Sequence, residues 1–138
     1  MDKNFSIANA VAIRVGNDEC DLHNDFDLTL LEVDLARRNL RLTFTWAIEA
    51  AAPNRNRHLT LAFNEVEFLN VSGGVLGKMV RDVVELGYKN PEDFDHDWLM
   101  RERQASPPDH LFVRLAGDEF IRVHSRSALA QFGDCASN

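Results

Sequence analysis

The chain has only two cysteines, four prolines and a single tyrosine in 138 residues. Cys20 and Cys135 lie far apart and lack the dense, even spacing of a disulfide framework, so both are expected as free thiols in a reducing compartment. No apolar run approaches the roughly 18 residues that a membrane-spanning helix requires. The opening MDKNFSIANA has no basic run leading into an apolar stretch, so neither a secretory leader nor an anchor is expected, and the protein reads as cytoplasmic. G-x-S-x-G, the phosphate loop, G-x-G-x-x-G and H-E-x-x-H are all missing, and Ser72-Gly73-Gly74 has no lysine to complete a phosphate loop. These absences argue against the common hydrolase and nucleotide-binding chemistries, and no cofactor is expected.

Positive charge is also short, with a net charge of -7 and a pI near 5.1. Recognition of phosphates needs a field of the opposite sign, which argues against a nucleic-acid binder. The charge is unevenly distributed. Asp18 to Asp34 holds seven acids and no Lys or Arg, whereas the stretch from Ala36 to His58 sets Arg37, Arg38, Arg41, Arg55 and Arg57 against Glu49 alone. Such runs are commonly the solvated faces of strands and loops. Here they also supply an acidic surface suited to a basic partner.

What is present is mostly period-two alternation. FSIANAVAIRV reads as one long strand with Phe5, Ile7, Val11, Ile13 and Val15 on one face. FDLTLLEVDL changes phase near Leu30 and Leu31, which a bulge repairs, and it pairs with LRLTFTW in a hairpin. EAAAPNRNR is a loop broken by Pro53. LTLAFNEVEFLNV changes phase again, predicting a bulge at Asn64 or Glu65, with Glu65 and Glu67 facing solvent. Leu76, Met79, Val80, Val83 and Val84 fall at helical spacing, with Gly87 as the stop, although Gly77 and the valines are poor helix formers and VVELGY also reads as a strand. LFVRLAGDEFIRV reads as a second hairpin, turning at Gly117 and Asp118, and SRSALAQFG as a short terminal helix. The expected class is α+β: one domain over residues 1–138, with an antiparallel sheet of about six strands and two or three helices packed on one face. The expected core holds Val11, Ile13, Leu28, Leu42, Phe44, Leu61, Phe63, Val113 and Ile121.

The densest chemistry lies in EDFDHDW, residues 92–98. Asn90 is a favoured helix cap, Pro91 suits the first helical position, and Glu92 and Asp93 fall where negative charge meets the helix dipole. This predicts a capped helix with Phe94 and Trp98 on one side. On it Asp93, His96 and Asp97 could ligate a metal, but three ligands from one exposed turn make a poorly selective site. CDLHND, residues 20–25, offers Cys20 and His23 at half of a zinc spacing without the other half, and His23 is better read as a turn residue entering the strand at Phe26. His58, His110 and His124 fall at strand ends, where histidines are mostly surface residues.

The run LHNDFDLTLLEVDLARRNLRLTFTW followed by LTLAFNEVEFLNVSG is similar to small β-rich bacterial immunity-type proteins. In these an acid-and-histidine lead-in precedes a hairpin and then a strand of the form apolar-x-Phe-x-x-Val. The likeness covers the middle third of the chain and transfers no individual residue. It implies a protein that binds and neutralises a partner toxin through an acid-rich surface, without catalytic residues. The leading expectation is therefore a non-enzymatic binding protein whose Asp21, Asp25, Asp27, Asp93, Asp95, Asp97 and Trp98 face a basic partner. Two alternatives are a small metal-dependent hydrolase using His23, Asp25, His96 and Asp97, and a structural subunit pairing through an exposed strand.

Overall fold

Alternating apolar residues build an antiparallel β structure. The computed structural model describes residues 1–47, 57–78 and 80–134. The Pro53 loop, with Glu49 and Arg55, and also Met79 and Cys135 lie outside the described residues. The elements are β1 (Asp2–Lys3), β2 (Ser6–Ala8), β3 (Ala12–Val15), β4 (Asp18–Asp21), β5 (Phe26–Asp34), β6 (Asn39–Trp46), β7 (Arg57–Val71), α1 (Gly74–Gly77), β8 (Val83–Lys89), β9 (His110–Leu115) and β10 (Glu119–Asp134). The main sheet runs β5-β6-β7-β10-β9-β8, with β1 added in parallel to β10, and β2-β3-β4 form a second, smaller sheet.

The two long strands organise the main sheet. β7 and β10 pair from Ile121 opposite Val71 to Asp134 opposite Arg57, and both bend at about the same level. Glu65 has a positive φ of 53°, and Glu67 is the extra residue of β7 where the register shifts opposite His124 and Ser125. β6 flanks the first half of β7, while β9 flanks the first half of β10. The ends of the sheet approach each other where Asp27 bridges Asp82 and the Leu28 amide donates to the Arg81 carbonyl at 2.9 Å. The Leu86 amide donates to the Ala10 carbonyl at 2.7 Å, tying the small sheet to β8. Residues of both sheets share one core, in which Leu42, Phe44, Leu61 and Phe63 are fully buried. Each such side chain contributes about 1.5–3 kcal/mol relative to exposure. All the expected core residues are buried except Val11, which is half-buried.

Both expected bulges occur close to the phase changes: Thr29 is the extra residue of β5, and in β7 the extra residue is Glu67, two places beyond the positive φ at Glu65. The β9–β10 hairpin also forms, over a 3₁₀ turn with Gly117 at φ 75°, a left-handed value that glycine adopts without strain. The α+β class does not hold: the chain is mostly β, and the only α-helix among the described residues is the single turn α1. The expected helix through Val83 and Val84 is strand β8. β-Branched residues favour a pleated surface, and Val83 is buried opposite Leu115. SRSALAQFG continues β10, with Ala128 and Ala130 inward and Leu129 outward. FSIANAVAIRV is not one strand but the β2–β3 hairpin, turned by positive φ at Asn9 and Ala10 so that Ile7 faces Ile13. Among the described residues no helix is long and apolar enough to cross a membrane.

Candidate functional site

Where β8, β9 and β10 lie side by side, alternation gives the sheet two faces. Val83, Leu86, Leu111, Val113, Leu115, Ile121 and Val123 point into the core. The register places Gly87 beside Phe112, Lys89 beside His110, and Phe112 beside Arg122, so these residues share the other face. That face is covered too: Lys89, Phe112 and Arg122 are fully buried. The cover is the segment 90–99, which leaves β8 at Lys89 and returns where Tyr88 and Met100 exchange backbone hydrogen bonds at 3.1 and 2.9 Å.

Arg122 holds this loop from beneath. Its Nη1 donates to the Asp93 carbonyl at 2.7 Å and to His96 Nε2 at 3.0 Å, and its Nη2 to the carbonyls of Asn90 at 3.0 Å and Pro91 at 3.4 Å. Its Nε donates to His110 Nδ1 at 2.9 Å. The five N–H groups of a guanidinium thus all find acceptors, in the fixed fork geometry that lysine lacks. Phe94 lies 4.6 Å from the guanidinium carbon and Phe68 lies 5.6 Å from it. Lys89, also without exposure, pairs with Asp93 at 3.2 Å and sits 3.5 Å from the centre of the Trp98 ring. Arg114 donates to the His96 carbonyl and pairs with Glu85. His96 packs against Phe112 and Phe120, and His110 stacks between Phe68 and His124.

This geometry explains why EDFDHDW does not form the expected helix. Its first turn begins as expected, since Asn90 Oδ1 accepts from the Glu92 amide at 3.0 Å. Asp93 Oδ1 then accepts from the Asp95 amide at 2.9 Å and Asp95 Oδ1 from the Asp97 amide at 3.0 Å. Short acidic side chains compete with helical hydrogen bonds in this way. Meanwhile the carbonyls of Asn90, Pro91 and Asp93, which would accept helical bonds, are taken by Arg122. Tertiary contacts override the local start signal.

Burial and neighbouring charge set the titration of the site. Burial, helped by Arg122 and then His124, pushes His110 down to about 4. His96 is lowered as well, by burial first and then by Arg122, Lys89 and Arg114. Asp93 is held below the usual carboxylate range, chiefly by the Asp95 amide and also by Lys89 and Arg122. Both histidines that accept from Arg122 are therefore neutral near pH 7. His110, expected at the surface, is 6% exposed.

On its outer side the loop presents an acidic, aromatic surface. Phe94 is 62% and Trp98 49% exposed, among exposed Glu92, Asp95 and Asp97. The exit of the loop depends on Gly87: a Cβ there would lie 2.7 Å from Leu99 Cβ and 2.8 Å from the Met100 carbonyl oxygen. Gly87→Ala is accordingly expected to cost about 1–3 kcal/mol by overpacking, read as a lower thermal midpoint. An unchanged midpoint would mean that the loop exit is loose.

The other sequence candidates sit elsewhere in local structure. Asp21 caps its own turn, accepting from the His23 amide and the Asn24 amide at 3.0 Å each, and this makes His23 the expected turn residue. His23 Nδ1 is 2.7 Å from the Val83 carbonyl oxygen, whereas His96 is engaged with Arg122. Among the described residues, no group of three or more His, Cys, Asp and Glu side chains is arranged to hold a metal. Cys20 is fully buried, and burial pushes its thiol up to about 12. Asp25 is raised by burial and by Asp21, and Asp27 bridges Asp82 through its backbone. The acidic block is partly neutralised: Asp18 pairs with Arg57 of the basic block at 2.8 Å, Glu32 lies opposite Arg41 of that block, and Glu19 pairs with Arg14 at 2.7 Å.

Arg122, Lys89, His110 and Arg114 were missed by reasoning from sequence. A signal for them exists, because LFVRL and FIRVH lack the polar alternation of a strand with one wet face and so mark strands buried on both sides. Comparison of the chain with protein-family models, with curated proteins and with solved structures gives no match.

Proposed function

We propose that the protein is a non-enzymatic, cytoplasmic binding protein of immunity-like type that docks a basic partner on the loop 92–98. One observation carries the reading: a buried arginine fixes an irregular acidic loop so that two aromatic side chains stand exposed on it. Burying a cation costs free energy, and an apolar residue at position 122 would satisfy the sheet more simply. Local rules are broken in this way mostly where function requires it. A rigid loop lowers the entropy cost of association, while exposed aromatics within a polar rim make suitable anchors. Asp95 and Asp97 would steer a basic partner and choose its orientation more than they add affinity. Asp21, Asp25 and Asp27, which the sequence also offers, are engaged in turn and bridge structure and are secondary in this reading.

The test is capture from cells that make the protein, using wild type and the Phe94→Ala and Trp98→Ala variants. The reading expects a basic protein retained by wild type and lost at least tenfold with either variant, since an anchor is worth about 2 kcal/mol or more. Retention should also weaken as salt rises. Equal retention by all three proteins would overturn it.

A further inference from the structure

The main sheet has a second surface suited to binding, along the outer edge of β5. β5 is the last strand in the sheet order, and its contact with Arg81 and Asp82 ends at Leu28. From Thr29 to Asp34 it therefore has a strand neighbour on one side only among the described residues. Natural sheets protect such edges with lysine, proline or covering segments. TLLEVD has no lysine or proline, and Leu30 is 47%, Val33 45% and the following Leu35 85% exposed. Beside the edge lies a groove of about 210 Å³ with an apolar lining that includes Val33, Leu40, Val66 and Phe68. Asp34, Arg38, Asn39 and Glu67 also line it. It forms beyond Phe63, where the pairing of β7 with β6 ends next to the positive φ at Glu65 and the Val66 amide donates to the Arg38 carbonyl at 2.8 Å.

The two faces of the free edge differ. Leu31 and Val33 stand opposite Leu42 and Leu40, on the side of the core and the groove, whereas Glu32 and Asp34 stand opposite Arg41 and Asn39 on the other side. A strand added to β5 would place alternate residues along these two faces. We infer that this edge receives an extended segment of another protein in which apolar and basic residues alternate, the apolar ones entering the groove and the basic ones meeting Glu32 and Asp34. A second copy of the chain is disfavoured as the occupant. β5 carries Asp27, Glu32 and Asp34 and no base, so pairing it with itself sets like charges against one another.

The test uses two synthetic eight-residue peptides, one alternating lysine with valine and the other alternating glutamate with valine, titrated into the full chain and followed through its backbone amide resonances. The lysine peptide should bind at least tenfold more tightly, with shifts concentrated at residues 29–34 and 66–69. Val33→Lys should abolish its binding at an unchanged thermal midpoint, and the E32K/D34K double variant should reverse the preference. Equal binding of the two peptides overturns the inference, as do shifts confined to residues 92–98. A concentration-dependent dimer with protected amides at 29–34 would also overturn it by making a second copy the occupant. Because these resonances are distinct from those of the covering loop, failure here leaves the reading of residues 92–98 unaffected.

Discussion

Arg122→Leu lowers the stability of the protein by about 3–5 kcal/mol and frees the loop 92–98, as expected when a buried cation is removed from partners that stay in place. Many buried ion pairs can be exchanged for apolar residues at little cost, because both partners are replaced together. Here three of the acceptors are backbone carbonyls, of Asn90, Pro91 and Asp93, and no substitution removes them. The Asn90 carbonyl keeps the Asp93 amide at 2.9 Å, but those of Pro91 and Asp93 must find water or lose their Arg122 bond at about 1–3 kcal/mol each, and the loop recovers part of this by lifting off. Arg122→Lys is expected to rescue little, since one ammonium cannot reach His110, His96 and the carbonyls at once. Denaturant unfolding gives the stability and amide exchange at residues 92–98 reports the loop. A loss below about 1 kcal/mol with unchanged exchange would show that packing alone holds the loop down.

Acid weakens the protein first through His110. The unfolded histidine takes its proton near pH 6.5, whereas the folded one does so at about 4. Between these values the unfolded state binds the proton and the native state does not, so stability falls as pH falls from about 6.5 to 4 and is unaffected by this group above that window. The physical reason is burial first and then the Arg122 charge, since protonation would place a cation beside a guanidinium that already donates to Nδ1. The loss expected across the window is about 2–3 kcal/mol, with His96 adding in the same direction. Asp93, Glu102 and Glu119 are lowered from the usual carboxylate range, so their contributions fade mainly at lower pH. His110→Asn retains an acceptor for Arg122 but not the titration, and should flatten the profile between pH 6.5 and 4. Identical profiles for variant and wild type would assign the acid loss to other groups.

The legible part of the fold is the part governed by period-two burial. Leu40, Leu42 and Phe44 announce β6, and the phase changes announce bulges that lie within a few residues of them, at Thr29 and Glu67. The illegible part is where two local signals compete. Val83 and Val84 satisfy a helical spacing and a strand propensity together, and pairing with β9 decides between them. Asn90 and Pro91 are a genuine helix start, defeated by Arg122, a residue 32 positions away in sequence. The candidate site was half legible for the same reason: Asp93, Asp95, Asp97 and Trp98 stand out by density, whereas the cations that position them sit in strands that read only as apolar.

The account rests on the loop 92–98 being the surface a partner covers. Hydrogen exchange of the protein with and without a partner captured from its own cells tests that most directly. The account predicts slower exchange over residues 92–98 in the complex, with Phe94→Ala and Trp98→Ala abolishing the effect. Protection confined to other segments, with the amides of Asp95 and Asp97 exchanging as in the free protein, would contradict it.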